Sequence, residues 1–117
     1  MARILVADDD IEQLRLFQML LESAGHAVLV ADDPSEMLRQ LAQSGPHLLV
    51  MDLHFPDTRV GMALIRRIRE QGSTVPMIIL SGWPDELYGQ PEEAMVERIL
   101  VKPIPVADLL RVIAGLV

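Results

Sequence analysis

The chain has 117 residues and a formal net charge of −7, which fits one compact domain, residues 1–117, with too little chain for two. The negative charge disfavours nucleic acid and anionic membranes as direct partners, because like charges repel. The absence of cysteine excludes disulfides and thiolate chemistry, and no apolar run near the amino terminus is long enough for a signal peptide or a membrane span, so we expect a cytoplasmic protein.

Five short apolar runs predict the strands of the fold: residues 4–7, 27–31, 47–53, 77–80 and 99–101. Apolar residues are continuous in these runs instead of alternating with polar ones, which is typical of strands buried on both faces of a parallel sheet. Segments with helical periodicity lie between them. The pattern predicts an α/β fold, a doubly wound five-stranded parallel sheet with the flavodoxin-like strand order 2-1-3-4-5 and helices on both faces.

The connecting segments differ in how clearly they predict helices. The first of them carries an apolar stripe at Ile11, Leu14, Phe17 and Leu21. Asp10 and Gln13 at its start predict a capping box. The segment before the last strand, residues 82–97, contains Pro84 and Pro91, which interrupt any long helix. We expect a short or irregular fourth helix there.

Polar side chains stand where four of the predicted strands end. They are Asp8 and Asp9 after the first strand, Asp52 near the end of the third, Ser81 after the fourth and Lys102 after the fifth. Ligand sites of open parallel sheets lie outside the carboxyl ends of the strands, and in this strand order those four ends are neighbours. Each residue alone fits a turn, a helix cap or a solvated loop, but together they predict one shared crevice.

The residue types in this crevice favour phosphoryl chemistry. Three carboxylates close together repel one another, which raises their pKa values unless a cation lies among them. Mg²⁺ suits such a site, because it binds oxygen and uses only one or two carboxylates directly. A lysine ammonium and a serine hydroxyl can bind phosphoryl oxygens. One carboxylate is then left to act as a nucleophile that forms an aspartyl phosphate.

The residues at these strand ends resemble the receiver domains of two-component response regulators. The matching motifs are ILVADDD at residues 4–10, MDLHFP at 51–56, LSG at 80–82 and VKP at 101–103. The resemblance covers essentially the whole chain, and its specificity comes from the set of motifs and not from any one of them. It implies a phosphorylation-controlled switch, not a separate enzyme, which catalyses only its own phosphoryl transfer and dephosphorylation.

The resemblance also implies a role for each site residue. Asp52 would accept the phosphoryl group from a histidine kinase or a phosphotransfer protein. Asp9 and Asp52 would bind Mg²⁺ directly, Asp8 through water, and His54 through its backbone carbonyl. Ser81 would be the switch hydroxyl. Lys102 would bind the phosphoryl group, and the peptide bond after it is expected to be cis.

The chain departs from the family pattern at Ile99, where family members often carry an aromatic switch residue. The coupling from the site to the surface is therefore expected to differ. The output partner is either another protein or an output domain outside this sequence.

Three other functions compete with this interpretation. A flavodoxin-like cofactor binder is disfavoured, because three carboxylates would repel a phosphate at the first strand. An aspartate-nucleophile phosphatase would want an acid where His54 stands, and a cap domain for which the chain has no room. A receiver-like protein-binding module that acts without phosphorylation stays open as the alternative.

Overall fold

The computed structural model describes residues 2–117. In chain order its regular elements are β1 (Arg3–Ala7), α1 (Ile11–Ser23), β2 (Ala27–Ala31), α2 (Pro34–Ser44), β3 (Leu48–Asp52), α3 (Thr58–Glu70), β4 (Met77–Ser81), two 3₁₀ turns (Pro84–Glu86 and Pro91–Met95), β5 (Arg98–Val101) and α4 (Val106–Leu116). No helix in the described part of the chain is both long enough and apolar enough to cross a membrane.

The five strands form one parallel sheet in the order β2-β1-β3-β4-β5, as predicted. The central strands β3 and β4 are buried along their whole length, which explains their uninterrupted apolar sequence. Alternate residues of each central strand face opposite sides of the sheet. One side packs on α2 and α3, with Leu49 and Met51 in its core, and the other packs on α1 and α4, with Leu48 and Val50.

The start of α1 corrects part of the prediction made from its sequence. Asp10 caps the helix, with its carboxylate accepting hydrogen bonds from the backbone N–H groups of Glu12 and Gln13. The capping box is nevertheless wrong, because the backbone N–H of Asp10 donates to Asp8 Oδ1 at 3.0 Å and not to the Gln13 side chain. The apolar stripe is also shorter than predicted, since Ile11 is 44% exposed.

Residues 82–97 contain no α-helix, so the predicted short or irregular fourth helix is present only as two 3₁₀ turns. The two 3₁₀ turns begin at Pro84 and Pro91. Two arginines of α3 hold the second turn in place. Arg66 Nη1 lies 2.6 Å from Glu92 Oε2, and Arg69 Nε donates to the Met95 carbonyl at 2.9 Å. The segment is thus held by these charged hydrogen bonds together with apolar contacts, because Leu87 is fully buried in the core that α3 also lines.

The loop that follows β3 is fixed by a close backbone approach. A Cβ atom added at Gly61, in the first turn of α3, would lie 1.9 Å from the carbonyl oxygen of Leu53. Only glycine fits this contact, because any other residue would overlap backbone atoms. The helix therefore supports the chain directly after Asp52.

Candidate functional site

The strand register brings the predicted acidic residues together at one edge of the sheet. Ala7 of β1 pairs with Met51 of β3, so the next residues, Asp8 and Asp52, emerge side by side. Lys102 reaches this pair from the end of β5. Its Nζ lies 2.7 Å from Asp52 Oδ2 and 3.7 Å from Asp8 Oδ2. Two carboxylates and one ammonium group thus form the centre of the site.

Asp8 is the member of this group whose ionised carboxylate is in the least favourable environment. Its side chain is 3% exposed, and its Oδ2 has no hydrogen-bond partner. Burial, the largest cause, and the nearby charges of Asp52 and Asp9 raise the pKa of Asp8 to about 6, against the lowering effects of the Asp10 backbone N–H and Lys102. The sequence predicted a raised pKa from repulsion between carboxylates, but loss of water around the carboxylate contributes more. An unpartnered buried oxygen is a position that a cation or a water molecule can fill.

Asp52 and Ser81 are held by backbone hydrogen bonds. The backbone N–H of His54 donates to Asp52 Oδ1 at 3.1 Å, which leaves Oδ2 to face Lys102. Ser81 is fully buried, and its Oγ accepts a hydrogen bond from the backbone N–H of Trp83 at 3.0 Å. The Ser81 hydroxyl hydrogen is not needed for that bond and remains available to another acceptor.

The other two predicted site residues lie at the rim. Asp9 is exposed, two residues after β1, and close enough to Asp8 to affect the pKa of Asp8. The His54 side chain is exposed and approaches Glu86, with Nε2 3.4 Å from Glu86 Oε2. The predicted role of the His54 backbone carbonyl as a metal ligand stays a prediction.

Asp8 and Asp52 place carboxylate oxygens side by side, and such oxygens are ligands that Mg²⁺ accepts. Within residues 2–117 no group of three or more histidine or acidic side chains is arranged to enclose an ion. Mg²⁺ does not require one, since it is usually bound by one or two carboxylates and keeps several waters. The unpartnered Oδ2 of Asp8 beside Asp52 is the feature that favours a hard cation here.

Two contacts near the site had no sequence signal. Glu86, in the first 3₁₀ turn, accepts a hydrogen bond from Thr58 Oγ1 at 2.6 Å and approaches His54. It links the irregular segment to the loop between β3 and α3.

Two peptide bonds near the site are cis. The Lys102–Pro103 bond is cis, as expected from the sequence, and the Phe55–Pro56 bond is cis without having been predicted.

Replacing Asp8 by asparagine is expected to stabilise the metal-free protein at high pH. The folded pKa of Asp8, about 6, is above its ordinary value of 3.8, so ionisation costs more in the folded state than in the unfolded state. That cost is absent below pH 4 and fully present above pH 6, where it amounts to about 3 kcal/mol at most. Urea unfolding in the presence of a chelator should show the gain for Asp8→Asn at pH 8 and a much smaller gain at pH 4.5.

The exposed neighbour Asp9 provides the matched control for this measurement. Asp9→Asn removes the same charge from a solvated position and should give a much smaller gain at pH 8. An equal gain from Asp8→Asn at both pH values would show that burial of the ionised carboxylate is not its cause.

Fold and site together define a class of protein, a doubly wound α/β domain with an acidic pair and a lysine at the carboxyl ends of its central strands. Comparison with known families identifies the class further. Residues 4–114 match the model of the response regulator receiver domain. The chain belongs to this family, whose members serve two-component signal transduction and interact with histidine kinases and output domains.

Individual relatives agree with the family match. The sensory/regulatory protein RpfC of Xanthomonas campestris pv. campestris (strain ATCC 33913) is 31% identical over 119 residues, which cover 97% of this chain and 16% of RpfC. This chain thus spans a small part of that relative.

Solved structures show the same fold. A receiver domain from Clostridium thermocellum superposes with a TM-score of 0.87 at 27% identity, covering 98% of this chain and 93% of the other. The response regulator TrrA of Thermotoga maritima, determined in complex with Mg²⁺-BeF, has a TM-score of 0.87 at 21% identity and covers both chains completely.

Proposed function

We propose that this receiver domain accepts a phosphoryl group on Asp52, from a histidine kinase or a phosphotransfer protein, in a reaction that requires Mg²⁺. The observation that carries the proposal is the placement of Lys102 Nζ 2.7 Å from Asp52 Oδ2, beside the buried Asp8. An ammonium group in this position can neutralise the charge that arrives with a phosphoryl group. The cytoplasmic location expected from the sequence is part of the same proposal.

The side chain of Asp52 supplies the nucleophile. One of its carboxylate oxygens attacks phosphorus, the bond from phosphorus to the donor nitrogen of phosphohistidine breaks, and the electron pair of that bond leaves with the imidazole, which takes up a proton. The product is an acyl phosphate on Asp52. Lys102, which pairs with the free carboxylate, can then bind a phosphoryl oxygen. The buried hydroxyl of Ser81 is available to donate to another one.

The residues proposed to hold Mg²⁺ are Asp9 and Asp52 directly, the backbone carbonyl of His54, and Asp8 through water. When bound, the ion would neutralise negative charge on the transferring phosphoryl group. TrrA, which shares the fold, was crystallised with Mg²⁺-BeF. Asp8 takes up a proton near pH 6 in the metal-free protein, so its interaction with the ion should weaken below that pH.

A mass measurement tests the proposed reaction. The protein is incubated with acetyl phosphate and Mg²⁺, with and without a chelator, and its intact mass is recorded. We expect the addition of one phosphoryl group that requires Mg²⁺. An unchanged mass under all conditions would leave the alternative of a binding module that acts without phosphorylation.

Phosphorylation is proposed to alter partner binding through residues 82–97. If the Ser81 hydroxyl turns towards a phosphoryl group, its Oγ leaves the hydrogen bond from the Trp83 backbone N–H. Loss of this hydrogen bond would release the start of residues 82–97. This route of switching does not require the aromatic residue that family members often carry at the position of Ile99. A shift between two states from 1:99 to 99:1 needs about 5.5 kcal/mol of differential binding, which several charge-assisted hydrogen bonds can supply.

The tryptophan fluorescence of the protein should report this movement. Trp83 is the only tryptophan and is 63% exposed as a residue, so its emission reports a change in the surroundings of this residue alone. We expect the emission to change when beryllofluoride, a phosphoryl mimic, binds with Mg²⁺. If beryllofluoride binds at Asp52 while the emission and the backbone amide shifts of residues 82–97 stay unchanged, switching does not pass through this segment.

A further inference from the structure

A cleft of about 410 Å³ lies between α2 and α3, on the side of the sheet opposite α1 and α4. Its floor is apolar, formed mainly by Leu38, Val60 and Leu64, and its rim carries three arginines, Arg59, Arg66 and Arg67. The cleft contains none of the proposed phosphorylation-site residues. Its combination of an apolar floor and a basic rim therefore needs its own explanation.

The basic charge of this rim stands out in an acidic protein. The helix α3 contains four arginines and one glutamate, although the whole chain has a net charge of −7. Two of the four arginines are committed to other contacts, Arg66 with the buried Glu92 and Arg69 with Glu97. Removing Arg66 from Glu92 would leave a buried carboxylate without its partner, which is costly.

Arg59 and Arg67 are the free cations of the cleft. Neither guanidinium makes an ion pair or a side-chain hydrogen bond with any residue from 2 to 117, and both are exposed. Three acids near the lining residues are engaged elsewhere. Glu36 pairs with Arg39, and Asp33 and Asp57 cap α2 and α3 through backbone N–H groups.

The distance between Arg59 and Arg67 along α3 sets the spacing that acidic groups of a partner would need. They are eight residues apart on one helix, which corresponds to about two turns, or about 12 Å. Val60 and Leu64 lie between them on the cleft floor. A second helix laid along the cleft could place apolar residues on this floor and carboxylates, two turns apart, opposite the arginines.

We propose that the cleft between α2 and α3 binds an acidic amphipathic helix of a partner protein. The occupant is identified by charge complementarity, since the free groups on the rim are both cationic and the floor is apolar. A cleft between two helices fits a third helix better than it fits a flat membrane surface, and the local charge of its rim is opposite to that of an acidic helix. This surface acts independently of Asp52, so its test uses the unphosphorylated protein.

Fluorescence anisotropy with two synthetic peptides tests the proposal. The first labelled peptide is an amphipathic helix with leucines on one face, flanked by glutamates two turns apart, and the second has lysines in place of those glutamates. We expect the acidic peptide to bind more tightly than the basic one. Its affinity should fall about tenfold in the double variant Arg59→Glu/Arg67→Glu and should weaken with added salt.

The double variant Arg15→Glu/Arg98→Glu is the matched control. Both residues are exposed and lie outside the cleft, so the variant carries the same change in net charge and should bind the acidic peptide far better than the cleft variant does. Far-ultraviolet circular dichroism establishes that both variants are folded. Equal binding of the two peptides, no binding of the acidic one, or equal losses in both double variants would overturn the proposal. So would self-association of the protein that the cleft variant abolishes, since the occupant would then be a second copy of this chain.

Discussion

Asp52→Asn is expected to abolish phosphorylation by acetyl phosphate, the largest functional effect that the structure predicts. Asparagine keeps the size of the side chain and can still accept the hydrogen bond from the His54 backbone N–H, but its amide is not a nucleophile at phosphorus. The ion pair with Lys102 is lost as well. Intact mass after incubation with acetyl phosphate and Mg²⁺ should show no added phosphoryl group.

Asp57→Asn is the matched control for this variant. Asp57 is an exposed acid five residues further along the chain, and it caps α3, a role that asparagine fills equally well. This variant should be phosphorylated like the original protein. Phosphorylation of Asp52→Asn at an undiminished level would remove Asp52 from the mechanism, because another side chain would have to be the acceptor.

Gly61→Ala is expected to cause the largest loss of stability. The added Cβ would lie 1.9 Å from the carbonyl oxygen and 2.9 Å from the carbonyl carbon of Leu53. Since both are backbone atoms, the clash cannot be relieved by a side-chain rotation, and α3 must move away from the loop after β3. We expect the free energy of unfolding to fall by about 3 kcal/mol. Urea denaturation measures it directly.

The same movement should slow phosphorylation, because the loop that loses the support of α3 includes His54, whose backbone N–H donates to Asp52. Gly115→Ala in α4 is the control. No atom lies within 4 Å of a Cβ built there, and alanine favours a helix by about 1 kcal/mol over glycine, so this variant should be unchanged or slightly more stable. A Gly61→Ala variant as stable as the original protein would show that the close approach of α3 is not a constraint.

The sheet and the acidic site could be predicted from the sequence because both follow from simple rules. Continuous apolar runs mark buried parallel strands, and polar residues that end such runs must lie at the same edge of the sheet. The expected convergence of Asp8, Asp52 and Lys102 is therefore confirmed by their distances. The backbone N–H of His54 contacts Asp52, while the role of its carbonyl as a metal ligand stays a prediction.

Three other features could not be predicted from the sequence: a hydrogen-bond partner in the first loop, the main cause of a pKa shift, and contacts between residues far apart in the chain. The backbone N–H of Asp10 could donate to the side chain of either Asp8 or Gln13, and in the structure it donates to the buried Asp8 carboxylate. Burial similarly has a larger effect on the pKa of Asp8 than the repulsion predicted from sequence. The contacts of Glu86 and Glu92 with α3 and its flanking loop join residues 26 to 32 positions apart in a segment without helical periodicity.

Chemical trapping of the phosphorylated residue tests the central claim most directly. Borohydride reduces an aspartyl phosphate to homoserine, which peptide mass spectrometry then locates in the chain. After incubation with acetyl phosphate and Mg²⁺, the structure predicts homoserine at position 52 and none at positions 8, 9 or 57. Homoserine at another aspartate, or none in a protein whose mass shows an added phosphoryl group, would contradict the assignment of Asp52 as the phosphoacceptor.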